Sequence, residues 1–213
     1  MRAITIPVKS LSRSKSRLAR TLTPLERGAL ALAMLEDVLD ATLDLSAWET
    51  WVVSADEVVL EVAARRGARP IPEEGSGLAT AIRQAEGVAR REHAQALAVL
   101  PGDLPMLTSR ALNAALRTLG PVVVARSSRD GTSLLLRRPP KVIPSRFGPD
   151  SFAKHLALAG SRGLPISVVD LPDLAFDLDL PVDILTLLAD GRRGRTREVC
   201  LGMDLGGRLA AHA

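Results

Sequence analysis

Short, almost uninterrupted apolar runs alternate along this chain with longer stretches of helical period, and that alternation leaves few folds open. Runs at residues 3–8, 51–54, 68–71, 96–100 and 122–125 carry too little polar alternation to leave one face in water. Strands of this kind are covered on both faces, as in parallel sheets. Between the first two runs, Thr23 and Pro24 form a cap followed by proline at the first helical position, with Glu26 three residues after Thr23. Leu25, Ala29, Leu32, Leu35, Val38 and Leu39 then repeat as one apolar stripe to about Leu43. Further helices are predicted at 56–66, closed by Gly67, at 76–91, and at 108–118 before Gly120-Pro121. This order predicts an α/β fold, a three-layer α/β/α sandwich with a mainly parallel sheet whose ligands gather at the carboxyl ends of the strands.

The second half is less regular. A strand at 133–137, a helix at 150–159, a strand at 166–170 and a helix entered through Pro181 and running to 188 are expected. Residues 190–197 are rich in glycine and arginine and read as a solvated turn, and little is legible beyond Glu198. No linker or shift in composition divides residues 1–213, so one domain is expected, with a poorly defined tail from about 190.

Composition narrows the function. The chain is 46% hydrophobic but only 2% aromatic, so its core is aliphatic and it lacks the stacking platforms of a single-strand nucleic-acid binder. A net charge of +4, mostly from arginine, suits a phosphate pocket instead. The single Cys200 excludes an intrachain disulfide and a cysteine metal cluster. His93, His155 and His212 show no zinc-ligand spacing. No run approaches the roughly 20 apolar residues of a membrane span, and residues 3–8 lack the hydrophobic region of a signal peptide, so a cytoplasmic protein with no membrane partner is expected. Neither a Gly-x-Ser-x-Gly elbow nor a dinucleotide-binding glycine fingerprint is present.

Four segments can carry chemistry. Lys9, Arg13, Lys15 and Arg17 follow the first strand and would meet a polyphosphate at the sheet's carboxyl edge, although the glycines of a Walker loop are missing. Gly102-Asp103-Leu104-Pro105 follows the fourth strand, where Gly102 permits close backbone approach and Asp103 can hold Mg²⁺ against phosphate oxygens. Asp130-Gly131-Thr132 reads as a turn, but a second polar segment, Arg146 to Ser151, enters a helix and offers Gly148 and Ser151 as an anion seat. His155, one turn on, is equally suited to binding an acid or to packing. Asp177 and Asp179 share one side of an extended segment, and either could complete a two-carboxylate magnesium site with Asp103, whereas Asp183 reads as a helix cap.

Taken together, these segments resemble the 2-phospho-L-lactate and phosphoenolpyruvate guanylyltransferases of coenzyme F420 biosynthesis, relatives of the molybdenum-cofactor guanylyltransferases with a nucleotide-diphospho-sugar transferase-like fold. The resemblance spans about residues 3–188 and is most specific at Lys15-Ser16-Arg17-Leu18, Gly102-Asp103-Leu104-Pro105 and Arg146-Phe147-Gly148-Pro149-Asp150-Ser151. It implies that Lys9, Lys15 and Arg17 face nucleotide phosphates and that Asp103 and Asp179 bind Mg²⁺. It further implies that Thr132, Gly148 and Ser151 hold a phosphorylated three-carbon acid, which attacks the α-phosphorus of GTP and releases pyrophosphate. Ala79, Ser133 and Leu180 depart from the family pattern, Ala79 where Asn is frequent and Leu180 where Thr is usual. A molybdopterin or sugar-phosphate nucleotidyltransferase of the same fold and a non-catalytic nucleotide-binding protein are the alternatives. An arginine-rich composition favours phosphoenolpyruvate, the acceptor associated with many bacterial members. A homodimer is compatible with the apolar stripes, since an interface and a core share that pattern.

Overall fold

The computed structural model describes residues 1–211; His212 lies outside them. A seven-stranded sheet runs in the order β3-β2-β1-β4-β6-β5-β7. Its strands are β1 (Arg2–Pro7), β2 (Glu49–Ser54), β3 (Arg69–Pro72), β4 (Ala96–Val99), β5 (Val122–Arg126), β6 (Thr132–Arg137) and β7 (Ile166–Val169). The helices are α1 (Pro24–Leu43), α2 (Glu57–Arg66), α3 (Leu78–Arg91), α4 (Ser109–Arg117), α5 (Ser151–Gly160), α6 (Pro172–Ala175), α7 (Pro181–Asp190), α8 (Arg195–Gly202) and α9 (Leu205–Ala210). The expected strands and helices all form, with ends shifted by a residue or two. β1 pairs in parallel with β2 and β4, and β5 with β7. β6 alone runs antiparallel, between β4 and β5. That reversal brings the start of β6 to the same sheet edge as the end of β4.

The strands are apolar because helices cover both faces. Ile4, Ile6, Val52, Ala98, Leu134 and Leu136 pack with α1, α2 and α4 in one cluster. Trp51, Val53 and Leu97 meet Ala81, Ala85 and Val88 of α3 on the other face. Leu135 meets Ile143 in a smaller cluster flanked by Leu158 of α5. Each leucine-sized side chain so buried contributes about 1.5–3 kcal/mol.

α1 has a second buried face, which the sequence reading missed. Thr23 caps it by accepting from the Glu26 amide at 3.3 Å, and the Glu26 carboxylate accepts from the Thr23 amide at 2.8 Å. Leu35, Val38 and Leu39 face the sheet, while Leu30, Ala31 and Met34 face outward and are covered by Ile184, Leu187, Cys200, Leu205 and Leu209. The tail expected to be ill defined is therefore two helices, α8 and α9, closing a fourth layer with α7 over α1.

Polar groups fix this layer. Asp37, buried on α1, accepts from the backbone amides of Arg195 at 2.7 Å and Thr196 at 2.9 Å and from the Thr196 hydroxyl at 2.5 Å. It thus serves as the N-terminal cap of α8 from another helix, compensating for Gly194, which has no capping side chain. A side chain at Gly194 would come within 3.2 Å of the Asp37 carboxylate. Arg208 of α9 donates to Glu26 at 2.6 Å and to the Thr21 carbonyl at 2.9 Å.

Replacing Asp37 by Ala should cost about 2–3 kcal/mol, because the α8 amides lose their partner in a buried place. Urea unfolding should show a lower midpoint at unchanged slope; an unshifted midpoint would remove Asp37 from this role. Hydrogen bonds from Arg208 and from the Thr23 amide also hold the Glu26 carboxyl down at about 2. Its folded value lies below its unfolded one, so the stability it contributes is complete above the ordinary carboxylate range and is lost as pH falls toward 2. The stability difference between wild type and Arg208→Gln should accordingly shrink on acidification below about 4.5, as read by unfolding at a series of pH values.

Candidate active site

Three loops meet at the carboxyl ends of the parallel strands around a cleft of about 380 Å³. The first, after β1, contributes Lys9, Arg13, Ser14, Lys15, Ser16 and Arg17; the second, after β4, contributes Pro101, Gly102 and Asp103; the third contributes Asp179. The first loop is two 3-10 turns, Leu11–Arg13 and Ser16–Leu18, hinged at Lys15, whose φ is +49°. Left-handed backbone at a side-chain-bearing residue costs about 1–2 kcal/mol and marks a position held for a purpose. Here it accompanies an ammonium turned into the cleft.

Lys15 Nζ donates to Asp103 Oδ2 at 2.8 Å, to Asp179 Oδ1 at 3.0 Å and to the Leu178 carbonyl at 2.5 Å. Its side chain is only 6% exposed. Burial by itself would lower the ammonium's pKa, but Asp103 and then Asp179 hold it above the ordinary lysine value. Asp179 shows the converse: burial would raise its carboxyl, yet Lys15, followed by Arg17 and Arg129, holds it below the usual range. Arg17, largely exposed, donates to Asp179 Oδ2 at 3.0 Å. Two carboxylates and a carbonyl oxygen converging on one cation are the hard oxygen donors that Mg²⁺ takes. Among the described residues there is no group of three or more His, Cys, Asp or Glu able to hold a metal, so a magnesium ion here would complete its shell with phosphate oxygens and water.

Of Asp177 and Asp179, it is Asp179 that shares Lys15 with Asp103 and lines the cleft. Asp177 turns away, its carboxylate accepting from the Ser128 hydroxyl and forming an ion pair with Arg129 at 3.2 Å. Asp183 is a cap, as the sequence indicates: one of its oxygens accepts from the amides of Asp179 at 2.8 Å and Leu180 at 2.6 Å. Because these bonds come from backbone, Leu180 in place of Thr leaves them available. Arg129 donates to both oxygens of Asp183 at 2.6 Å and to the Asp177 carbonyl at 3.1 Å, clamping the loop that carries Asp179. No pattern in the sequence pointed to Arg129. Asp56, placed by the sequence only as the start of the helix at 56–66, caps α2 by accepting from the Val58 amide at 3.1 Å. It also accepts from the Leu11 amide at 2.9 Å and the Ser10 hydroxyl at 3.1 Å, and so anchors the basic loop.

Gly102 has a packing reason beside the close backbone approach expected of it. A side chain there would press on Val8 at 3.3 Å and Ile6 at 3.4 Å, so the missing Cβ makes room for the end of β1 while the backbone still lines the cleft. Lys9 lines the cleft and forms no hydrogen bond with another described side chain. Thr132, Gly148 and Ser151 do not line it; they gather beside it where β6 begins and α5 starts. Thr132 and Ser151 are buried, Gly148 has φ +118°, and Phe147 from the same segment reaches the cleft wall. His155 is buried between Thr132 and Arg146.

Lys15→Met would leave Asp179 with only Arg17 and Arg129 to oppose its desolvation. Its carboxyl should then titrate at a higher pH than in the wild type, as followed by carbon NMR across an acid titration. An unmoved midpoint would assign the depression to the two arginines.

Comparison with known proteins places this geometry in a family. The family model described as guanylyl transferase CofC like matches residues 1–206. A phosphoenolpyruvate guanylyltransferase of Rubrobacter xylanophilus is 40% identical over 190 residues, covering 87% of this chain and 93% of that one. A 3-phospho-D-glycerate guanylyltransferase of Phenylobacterium zucineum is 40% identical, covering 87% and 89%. A 2-phospho-L-lactate guanylyltransferase of Methanothermobacter thermautotrophicus is 36% identical, covering 91% and 86%. Among solved structures, a protein of Desulfovibrio desulfuricans G20 provisionally described as a nucleotide-diphospho-sugar transferase superposes with a TM-score of 0.80 at 16% identity, covering 99% and 98%. A nucleotidyl transferase of Methanothermobacter thermautotrophicus gives 0.61 at 16% identity, covering 89% and 97%. At that identity the solved structures speak for the fold alone, whereas the match over nearly the whole chain speaks for descent: this chain belongs to the CofC-like guanylyltransferase family.

Proposed function

We propose that the protein transfers GMP from GTP to the phosphate of a three-carbon acid, phosphoenolpyruvate in the first instance, and releases pyrophosphate as a cytoplasmic step of coenzyme F420 biosynthesis. The observation that carries this reading is the convergence of Asp103 and Asp179 on one buried cation beside a basic loop, at the edge of the sheet where nucleotides bind in α/β folds. The names of the relatives supply the acceptor class: phosphoenolpyruvate, 2-phospho-L-lactate and 3-phospho-D-glycerate are all small phosphorylated acids.

A phosphate oxygen of the acid attacks the α-phosphorus of GTP, the bond from that phosphorus to the bridging oxygen breaks, and pyrophosphate leaves with the electron pair. The nucleophile is already anionic, so no general base is required, and the absence of a histidine among the cleft-lining side chains presents no difficulty. The work is alignment and charge neutralisation. Lys9, Lys15, Arg13 and Arg17 supply positive charge along the triphosphate, with Lys15 released from its carboxylates as the nucleotide enters. Asp103 and Asp179 would hold Mg²⁺, which would neutralise charge on the triphosphate. Thr132, Gly148 and Ser151 hold the acid next to the α-phosphate.

The test is pyrophosphate release by purified protein with GTP and Mg²⁺, offering each of the three acids in turn. Release that depends on one acid names the acceptor; no release with any of them, from folded protein, would sink the reading. Asp103→Asn should lower turnover at least about a hundredfold, the usual effect of removing a group that neutralises transition-state charge, while leaving the unfolding midpoint near that of wild type.

A further inference from the structure

We infer that His155 is a positioning residue that fixes the Thr132 hydroxyl as a hydrogen-bond donor directed at the acid substrate. The inference rests on the proposed function for the acid and for Thr132 as one of the residues that hold it, and on the structure for the hydrogen bonds around His155.

The argument begins with Arg146. Its backbone N–H can only donate, and it lies 2.9 Å from His155 Nε2. Nε2 must therefore carry a lone pair. The segment presenting that amide is anchored from beneath, so its direction is fixed: Ser145 donates to Glu86 at 2.9 Å, and the fully buried Arg137 donates to Glu86 at 2.6 Å and to the Ile143 carbonyl at 3.1 Å. A neutral imidazole has one proton, and here it must sit on Nδ1. Nδ1 is 3.0 Å from Thr132 Oγ1, so His155 is the donor and Thr132 the acceptor in that bond.

The ring cannot escape this assignment by taking a second proton. It is fully buried, and burial together with the nearby Arg137 guanidinium lowers its pKa to about 4. Phe147 meets it edge-on, with centroids 5.3 Å apart and planes at 67°, which restrains rotation.

The Thr132 hydroxyl is left with its own proton to donate, and no described residue accepts it. Its surroundings suit an anion. Ser151 is buried close by, its Oγ 3.9 Å from where a side chain at Gly131 would begin. The ten-residue α5 begins at Ser151 with no side-chain cap, its first amide donating instead to the Gly148 carbonyl at 3.2 Å. Thr132 is thereby a donor whose proton cannot turn to His155, and the carboxylate or phosphate of the acid accepts the hydrogen bond it offers.

Two measurements test this. Nitrogen NMR of histidine-labelled protein at pH 7, with the His155 signal identified by its loss in His155→Gln, should show the Nδ1–H tautomer; the Nε2–H tautomer would overturn the inference. In steady-state kinetics, Thr132→Val and His155→Gln should each raise KM for the acid about tenfold, the effect of one hydrogen bond to a charged group, with KM for GTP unchanged. Thr132→Ser, which keeps the hydroxyl, should recover most of the affinity for the acid that Thr132→Val loses. The double variant should be no worse than either single one, because His155 acts through the hydroxyl that Val removes. Independent penalties multiplying to about a hundredfold, or an equal rise in KM for GTP, would mean that His155 only supports the fold. If wild type turns over none of the three acids, the proposed function fails, and the tautomer spectrum still decides whether His155 makes Thr132 a donor.

Discussion

One buried ammonium holds the site together. Lys15, Asp103 and Asp179 lie on three loops far apart in sequence, and the contacts of a single Nζ are what make them neighbours. Such an arrangement contributes little net stability, because the desolvation of three charged groups offsets most of their attraction. Its value is geometric. The carboxylates are held in register, the first loop is drawn over the cleft at the cost of a left-handed residue, and, with Arg17 on Asp179, the two negative charges are already balanced before any ligand arrives.

The parts of the fold that depend on period were legible in the sequence. Uninterrupted apolar runs in β1, β2 and β4 announced two-sided burial, and Thr23-Pro24 with Glu26 announced the start of α1. Direction was not legible, because an apolar run such as that of β6 reads the same whether it points up or down. Nor was the fourth layer. Glycine and arginine at 191–197 resemble solvated chain, and what makes the segment helical is a carboxylate about 160 positions away, Asp37 capping α8 through space. Such a cap leaves no local mark. Leu30, Ala31 and Met34, which do belong to the sequence of α1, were the available sign that its outer face is also covered.

The site divided in the same way. Residues at strand ends, Lys15 and Asp103 above all, could be picked out because position and chemistry agreed. Asp177 and Asp179 could not be separated by alternation, since both fall on one side of the segment; the discriminating group is Arg129, which arrives from the β5–β6 turn and draws Asp177 to itself. His155 was left undecided because its role lies in a proton's location, which depends on the two atoms it touches and not on its place in the helix.

The reversed strand β6 has an evolutionary consequence. Its inversion puts the β5–β6 hairpin, together with the segment leading into α5, at the same rim as the loops of β1 and β4, yet outside the parallel half that builds the cleft. On the function proposed here, the nucleotide is handled by one half of the molecule and the acid by the other, and the two meet only along the rim. On that reading, changes in the segment leading into α5 retune which acid is accepted without disturbing the carboxylates or the basic loop, whereas the hairpin itself carries Arg129, which clamps the loop of Asp179. On the same reading, a fold divided in this way can pass from one phosphorylated acid to another by drift in one segment at its rim, and relatives named for three different phosphorylated acids fit that division.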